Sequence, residues 1–200
     1  MSAPSHHNKT GNPERPSNFY DRKFLAVDHR SAHYTQSPYF PMWAVIADRI
    51  SREGFENILD IGCGPGQFAA MLFDQGVPSY TGLDFSLVAT VKGQKACPDY
   101  SFICADIRAD NSLEDGNYDC VVMLEFLEHV EDEIDVLRRI KPGATLLGSV
   151  PNFPAFSHVR HFKNCDEVTE RYAKLFQSFT VREMMWKDYG SKFFVIQAVM

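Results

Sequence analysis

A doubly wound α/β fold, its mostly parallel sheet covered on both faces, is what this sequence predicts. From residue 57 onward, short apolar runs alternate with segments of helical period. That alternation is the mark of parallel strands joined by crossover helices. The first apolar run also ends in a glycine loop, Gly62-Cys63-Gly64-Pro65-Gly66, that leads straight into a helix. Two hundred residues suit one domain, placed at residues 19–200.

Residues 1–18 are rich in Pro, Asn, Ser and Gly and are expected to form a disordered leader. Residues 19–45 supply an aromatic N-terminal lid and a first helix. Pro41 suits that helix's first turn, Trp43, Ile46, Ala47 and Ile50 follow at helical spacing, and Gly54 stops it. Residues 55–150 are the core. Asn57–Ile61 reads as the first strand and residues 67–75 as a helix closed by Gly76. Ser79–Asp84 is the second strand and residues 86–96 the next helix. Residues 100–104 and 118–124 are strands three and four, the latter a continuous Val/Met/Leu run. Residues 131–140 are helical up to Pro142-Gly143, and residues 144–150 are strand five. The segment 151–200 belongs to the substrate side. In it Thr180-Val181-Arg182-Glu183 carries a capping-box signature that opens a helix. Residues 193–200 read as a sixth and last strand, which gives a short C-terminal end.

Composition excludes several classes. Five cysteines without a CxxC pair argue against a disulfide framework or zinc ribbon, and free thiols point to the cytoplasm. No apolar run reaches the ~18 residues of a membrane span. Residues 106–135 carry eleven acids and one arginine, so no basic surface tracks a phosphate backbone and no nucleic-acid partner is expected. The plain reading of that block is a solvated surface; the sharper one puts some carboxylates at a site.

The glycine loop offers close backbone approach and a helix N-terminus. Its spacing, Gly62, Gly64 and Gly66, is not the G-x-G-x-x-G of a dinucleotide site. Asp60 ends strand one, where it repels a pyrophosphate but attracts an ammonium. Asp84 ends strand two, suited to ribose hydroxyls, with Phe85 beside it to lie against a purine. Asp106 follows strand three, suited to an adenine amino group, with Ile107 to pack on the ring. Three strand-end acids and a glycine loop match a cationic adenosyl ligand with an amino-acid tail, S-adenosylmethionine.

On these residues the sequence resembles the class I S-adenosylmethionine-dependent methyltransferases, whose fold is Rossmann-like. Asp60-x-Gly62-x-Gly64-x-Gly66 matches their first motif, Leu83-Asp84 the second and Ala105-Asp106 the third. Residues 118–130 match the fourth-strand region and Lys141-Pro142-Gly143-Ala144 the turn before strand five. The likeness covers roughly residues 45–150. It implies cofactor contacts from Asp60, Gly62, Gly64, Gly66, Asp84, Phe85, Asp106 and Ile107. The run Glu125-x-x-Glu128-His129 also resembles ubiquinone-pathway O-methyltransferases and small-RNA 3′-end methyltransferases, where such a run can contribute metal ligands.

At i, i+3 and i+4 of a helix, Glu125, Glu128 and His129 share one face. They are the catalytic candidates: a divalent metal site, a general base in His129, or an acidic helix start. Tyr20, Tyr34, His158 and His161 are the substrate-side candidates, with His158 and His161 also the only later histidines that can join a metal. His29, Arg160, Lys163 and Arg171 lie in the same flanking segments. The expected function is methyl transfer to a small-molecule acceptor, on oxygen. Two alternatives stand beside it: metal-dependent methylation of an RNA or nucleotide terminus, and a cofactor-binding regulatory subunit without turnover.

Overall fold

The computed structural model describes residues 8–26, 32–186 and 190–200. The expected positions 1–7 of the leader, and His29, lie outside these residues. In chain order the elements are β1 (Asn8–Lys9), α1 (Ser17–Ala26), α2 (Phe40–Glu53), β2 (Asn57–Ile61), α3 (Gln67–Asp74), β3 (Ser79–Asp84), α4 (Leu87–Ala96) and β4 (Ser101–Cys104). There follow α5 (Ser112–Asp115), β5 (Cys120–Leu124), α6 (Glu133–Arg138), β6 (Thr145–Pro151), β7 (Arg160–His161), α7 (Cys165–Tyr172), β8 (Ser178–Met185) and β9 (Lys192–Val199).

The main sheet has the order β4-β3-β2-β5-β6-β9-β8, parallel except for β9, which runs antiparallel to both neighbours. Strand order reverses between β2 and β5, so the crevice for a ligand opens at the carboxyl ends of β2, β3, β4 and β5. Side chains alternate across the sheet. Ile58, Tyr80 and Val122 meet Met42, Ile46 and Ile50 of α2 and Phe68 and Leu72 of α3 on one face. Leu59, Ile61, Val121 and Met123 meet Leu137 of α6 and Val168 of α7 on the other. Gly54 ends α2 in the left-handed region (φ 72°), as a helix-stop glycine does.

Three expectations are corrected. Residues 178–185 are a strand, not a helix: β8 pairs with β9 over eight residues, from Ser178↔Val199 to Met185↔Lys192. Phe179 and Val181 pack against the core while Thr180 and Arg182 face out, a period of two that the capping-box signature masked. The sheet therefore has seven strands rather than six, and the short C-terminal end expected from six is absent. The second correction concerns the leader. Asn8 and Lys9 pair antiparallel with His161 and Arg160, Thr10 bonds the His158 carbonyl, and Asn12 Nδ2 donates to the Ala155 carbonyl at 3.0 Å. Residues 8–12 are thus held as a strap by backbone groups distant in sequence. The third is the helix expected to carry Glu125, Glu128 and His129. Only residues 127–129 turn, as a single 3-10 turn, and α6 begins at Glu133.

Candidate functional site

The glycine loop folds as its composition demands. Gly62, Gly64 and Gly66 have φ of 78°, 56° and 81°, a region costly for a residue with a Cβ. A Cβ on Gly62 would lie 2.7 Å from Phe126 Cδ2. Gly66 serves packing instead: its Cβ would lie 2.8 Å from the α-carbon of Gly93, so α3 and α4 meet there backbone to backbone. Gly64 N–H donates to Asp84 Oδ2 (3.0 Å) and Ser86 N–H to Asp84 Oδ1 (2.8 Å), which fixes this carboxylate at the end of β3.

A cavity of about 230 Å³ opens beside the loop. Asp60, Gly62, Gly64, Asp84, Phe85, Asp106 and Ile107 line it, on β2, β3 and the turn after β4. Burial raises Asp60 to about 7 although Tyr80 Oη donates to it at 2.6 Å, and burial raises Asp84 to about 6 against its two backbone donors. Burial thus opposes the ionised form of both, which a nearby cation or further hydroxyl donors would stabilise. Asp106 behaves oppositely. Arg108 grips it (Nη2–Oδ2 2.6 Å, Nε–Oδ1 2.9 Å) and holds its carboxyl below the usual range. Arg108 also reaches Glu14, 3.0 Å away in the N-terminal strap. These residues fit the adenosyl ligand inferred from the sequence: a carboxylate at each strand end, and loop glycines leaving room for its amino-acid tail.

The cavity's other end is acidic and imidazole-bearing. Glu125 follows β5 with φ 53°, alone among the described non-glycine residues in having a positive φ. Strain of that kind concentrates at functional positions. Ser149 Oγ accepts from Glu125 N–H (2.9 Å) and donates to Glu125 Oε1 (3.0 Å). Glu128 is fully buried, and neither carboxylate oxygen has a hydrogen-bond partner among the described residues. Burial raises Glu128 to about 8, and burial together with neighbouring Glu128 pushes Glu125 well above the carboxylate range.

His129 Nδ1 lies 2.7 Å from the Ser157 carbonyl and His158 Nδ1 3.1 Å from the Phe153 carbonyl. A carbonyl only accepts, so both Nδ1 atoms carry the proton and both Nε2 atoms keep a lone pair. One ligand atom each from Glu128, His129 and His158 lies within 4.8 Å of the others. A dry carboxylate and two neutral imidazoles with occupied second nitrogens form a donor set that fits a divalent transition-metal ion.

The candidates divide accordingly. Glu128, His129 and His158 come together; Glu125 stands beside Glu128 without joining them. As a free base His129 is poor: burial, then His158, lower its imidazole to about 3. Tyr20 lines the cavity, edge-on to His129 with ring centroids 5.9 Å apart. Tyr34 lies outside it, half-buried against the core, its hydroxyl on Asp74 (2.8 Å). His161 pairs with Asn8 in the strap and does not enter the cluster. Arg160 and Arg171 are bound to buried Glu133. No local pattern marks Glu14, Arg15 and Lys23 as cavity residues; Tyr39 and Trp43 both pack against the core and line the cavity.

Comparison with known proteins agrees with this geometry. Residues 32–191 match the family described as "Methyltransferase domain". A ubiquinone biosynthesis O-methyltransferase of Vibrio parahaemolyticus is 31% identical over 105 residues, 48% of this chain and 44% of that protein. The chain thus spans about half the length of the curated relatives it matches. Among solved structures, the N-methyltransferase NodS of Bradyrhizobium japonicum bound to S-adenosyl-L-homocysteine superposes with a TM-score of 0.68 at 18% identity, covering 92% of this chain and 98% of that one. The methyltransferase domain of bacterial CtHen1-C gives 0.60 at 15% identity, covering 80% and 97%. The glycine loop, strand-end acids and seven-strand sheet stand beside a family match over most of the chain: its fold is that of the S-adenosyl-L-homocysteine-bound NodS, and the chain belongs to the methyltransferase domain family.

Proposed function

We propose that the chain methylates a hydroxyl oxygen of a small-molecule acceptor. The observation that carries this reading is the convergence of Glu128, His129 and His158 beside the pocket that Asp60 and Asp84 begin. The relatives named ubiquinone biosynthesis O-methyltransferase, 30–31% identical over about half this chain, support oxygen as the acceptor atom.

S-adenosylmethionine supplies a sulfonium methyl group, whose C–S bond breaks as the acceptor's O–C bond forms. The protein's work is then alignment and charge. Asp84 would accept the ribose hydroxyls, Asp60 would attract the ammonium, and Phe85 and Ile107 would pack on the adenine. Alignment of this kind can supply about 7–11 kcal/mol of barrier lowering. Glu128, His129 and His158 would hold a divalent ion, which acidifies a bound hydroxyl. Glu125, fixed by Ser149 and lining the same cavity, would take the acceptor's proton in its ionised form, which the charge of a bound ion beside Glu128 would favour over the neutral form that burial alone imposes.

The test is methyl transfer from labelled S-adenosylmethionine to panels of small alcohols, phenols, amines and short RNAs, with and without a divalent ion. Ion-dependent O-methyl products on small acceptors are expected. Transfer confined to amines or to RNA ends would overturn the reading.

A further inference from the structure

Residues 127–131, from which Glu128 and His129 hang, form no α-helix, only a 3-10 turn at Leu127–His129. Their carbonyls have no helical ladder to join, yet the turn is buried: Leu127 and Glu128 are inaccessible and Val130 nearly so. Buried carbonyls need donors. They find them in the segment 159–160. Val159 N–H donates to the Glu128 carbonyl at 2.8 Å. Arg160 Nη1 donates to the Leu127 and Val130 carbonyls, and Nη2 donates to the Glu131 carbonyl at 3.0 Å. Arg160 is 3% exposed, and Nη2 also meets Glu133 Oε2 at 2.7 Å. Glu133 is completely buried, and Arg171 Nε holds its other oxygen at 2.6 Å.

We infer that Arg160 is a positioning residue for the Glu128–His129–His158 cluster. Its guanidinium ties the turn bearing Glu128 and His129 to the segment bearing His158. Ser157 in that segment accepts the His129 Nδ1 proton. Four carbonyls of a five-residue turn are thereby held from two adjacent residues. A planar fork of donors can serve several carbonyls and a carboxylate together, which an ammonium cannot. The Glu133–Arg171 pair anchors the fork from behind. This inference rests on the metal reading above only for the ion; the imidazole geometry stands apart from it.

The experiment uses the full chain with Arg160→Met/Glu133→Gln, which removes the fork together with the carboxylate it faces and leaves Arg171 a glutamine oxygen to donate to, and with Arg160→Lys as the second variant. Three readouts are taken: the His129 Nδ1–H proton resonance, identified by its loss in His129→Gln; calorimetric affinity for Mn²⁺ alone; and affinity for S-adenosylhomocysteine. The double variant is expected to lose the resonance to exchange and to weaken Mn²⁺ binding about 10- to 100-fold, the range for outer-sphere partners of metal ligands. S-adenosylhomocysteine affinity should stay within about twofold. Arg160→Lys should restore neither loss, and it carries the test alone if the double variant does not fold. Unchanged resonance and Mn²⁺ affinity, rescue of both by lysine, or a parallel fall in S-adenosylhomocysteine affinity would each overturn the assignment. If the wild-type chain fails to bind Mn²⁺, the metal reading falls while the resonance still decides the role of Arg160.

Discussion

His129 and His158 meet edge to face, ring centroids 4.9 Å apart and planes at 75°, each with its Nδ1 bonded to a backbone carbonyl. Burial, largest in both cases, lowers His129 to about 3 and His158 to about 4. Both rings are therefore neutral across the working range of pH, as ligand imidazoles must be.

The first expectation follows from that pair. A chelator should stop methyl transfer and an added divalent ion restore it. Glu128→Ala, His129→Ala and His158→Ala should be similarly damaging to Mn²⁺ binding by calorimetry. Glu125→Ala should retain Mn²⁺, since Glu125 stands outside the converging set. Equal loss in all four variants would place Glu125 among the ligands.

Asp84→Asn should weaken S-adenosylhomocysteine binding by about 1.5–3 kcal/mol, the scale of a hydrogen bond to a charged group. The amide keeps only one acceptor oxygen where the carboxylate serves both Gly64 and Ser86. Titration calorimetry measures this, and unchanged affinity in the folded variant would remove Asp84 from the ribose.

Cofactor binding should weaken as pH falls from 8 towards 5.5. Burial raises Asp60 to about 7 and Asp84 to about 6, and only their ionised forms attract an ammonium or accept two hydroxyls. The same shifts act on the free protein with the opposite sign. Folded carboxyls above their unfolded value near 3.8 bind extra protons. Their contribution to stability is therefore favourable at acid pH and declines as pH rises to about 7. Thermal unfolding with and without S-adenosylhomocysteine across this window checks both signs.

Gly62→Ala should destabilise the fold by about 1–2 kcal/mol from its left-handed φ alone. It should also weaken cofactor binding, because Phe126 must move from a contact of 2.7 Å. Denaturant unfolding and calorimetry on one preparation separate the two losses.

Hydrogen exchange in Ser17–Ala26 should slow when S-adenosylhomocysteine binds. This helix docks beside the ribose residue by packing Tyr20 and Phe24 against Ala89 and Phe85 and by two polar contacts: Ser86 Oγ donates to Asp21 Oδ1 at 2.6 Å, and Lys92 Nζ to the Phe24 carbonyl at 2.8 Å. Equal exchange in both states would remove its role as a cofactor-responsive cover. Of the lid expected over residues 19–40, positions 27–31 fall outside the described residues.

The cofactor half of the site was legible because strand ends and glycine loops are local events. Asp60, Asp84 and Asp106 could be placed by counting along apolar runs. The other half depends on tertiary pairing. Glu128 and His129 were visible as a pair, yet no local pattern says that the chain leaves β5 with Glu125 at φ 53° rather than entering a helix. His158 and His161 were equal candidates by composition; pairing of His161 with Asn8 separates them. Tyr34 looked like a lid residue until its hydroxyl met Asp74. β8 was misread because four residues of capping chemistry outweighed the weak alternation of an edge strand, which only β9 makes decisive.

The strap over the imidazole cluster has a kinetic consequence. Thr10 and His158, which it joins, are 148 residues apart. The strap and its pairing strand, Arg160–His161, thus lie far apart along the chain. Closing so long a loop carries an entropy cost that grows only with the logarithm of its length, so the core can condense before the strap docks. Release of the strap would then loosen the segment that bears His158 while leaving the carboxylates on β2 and β3 in place.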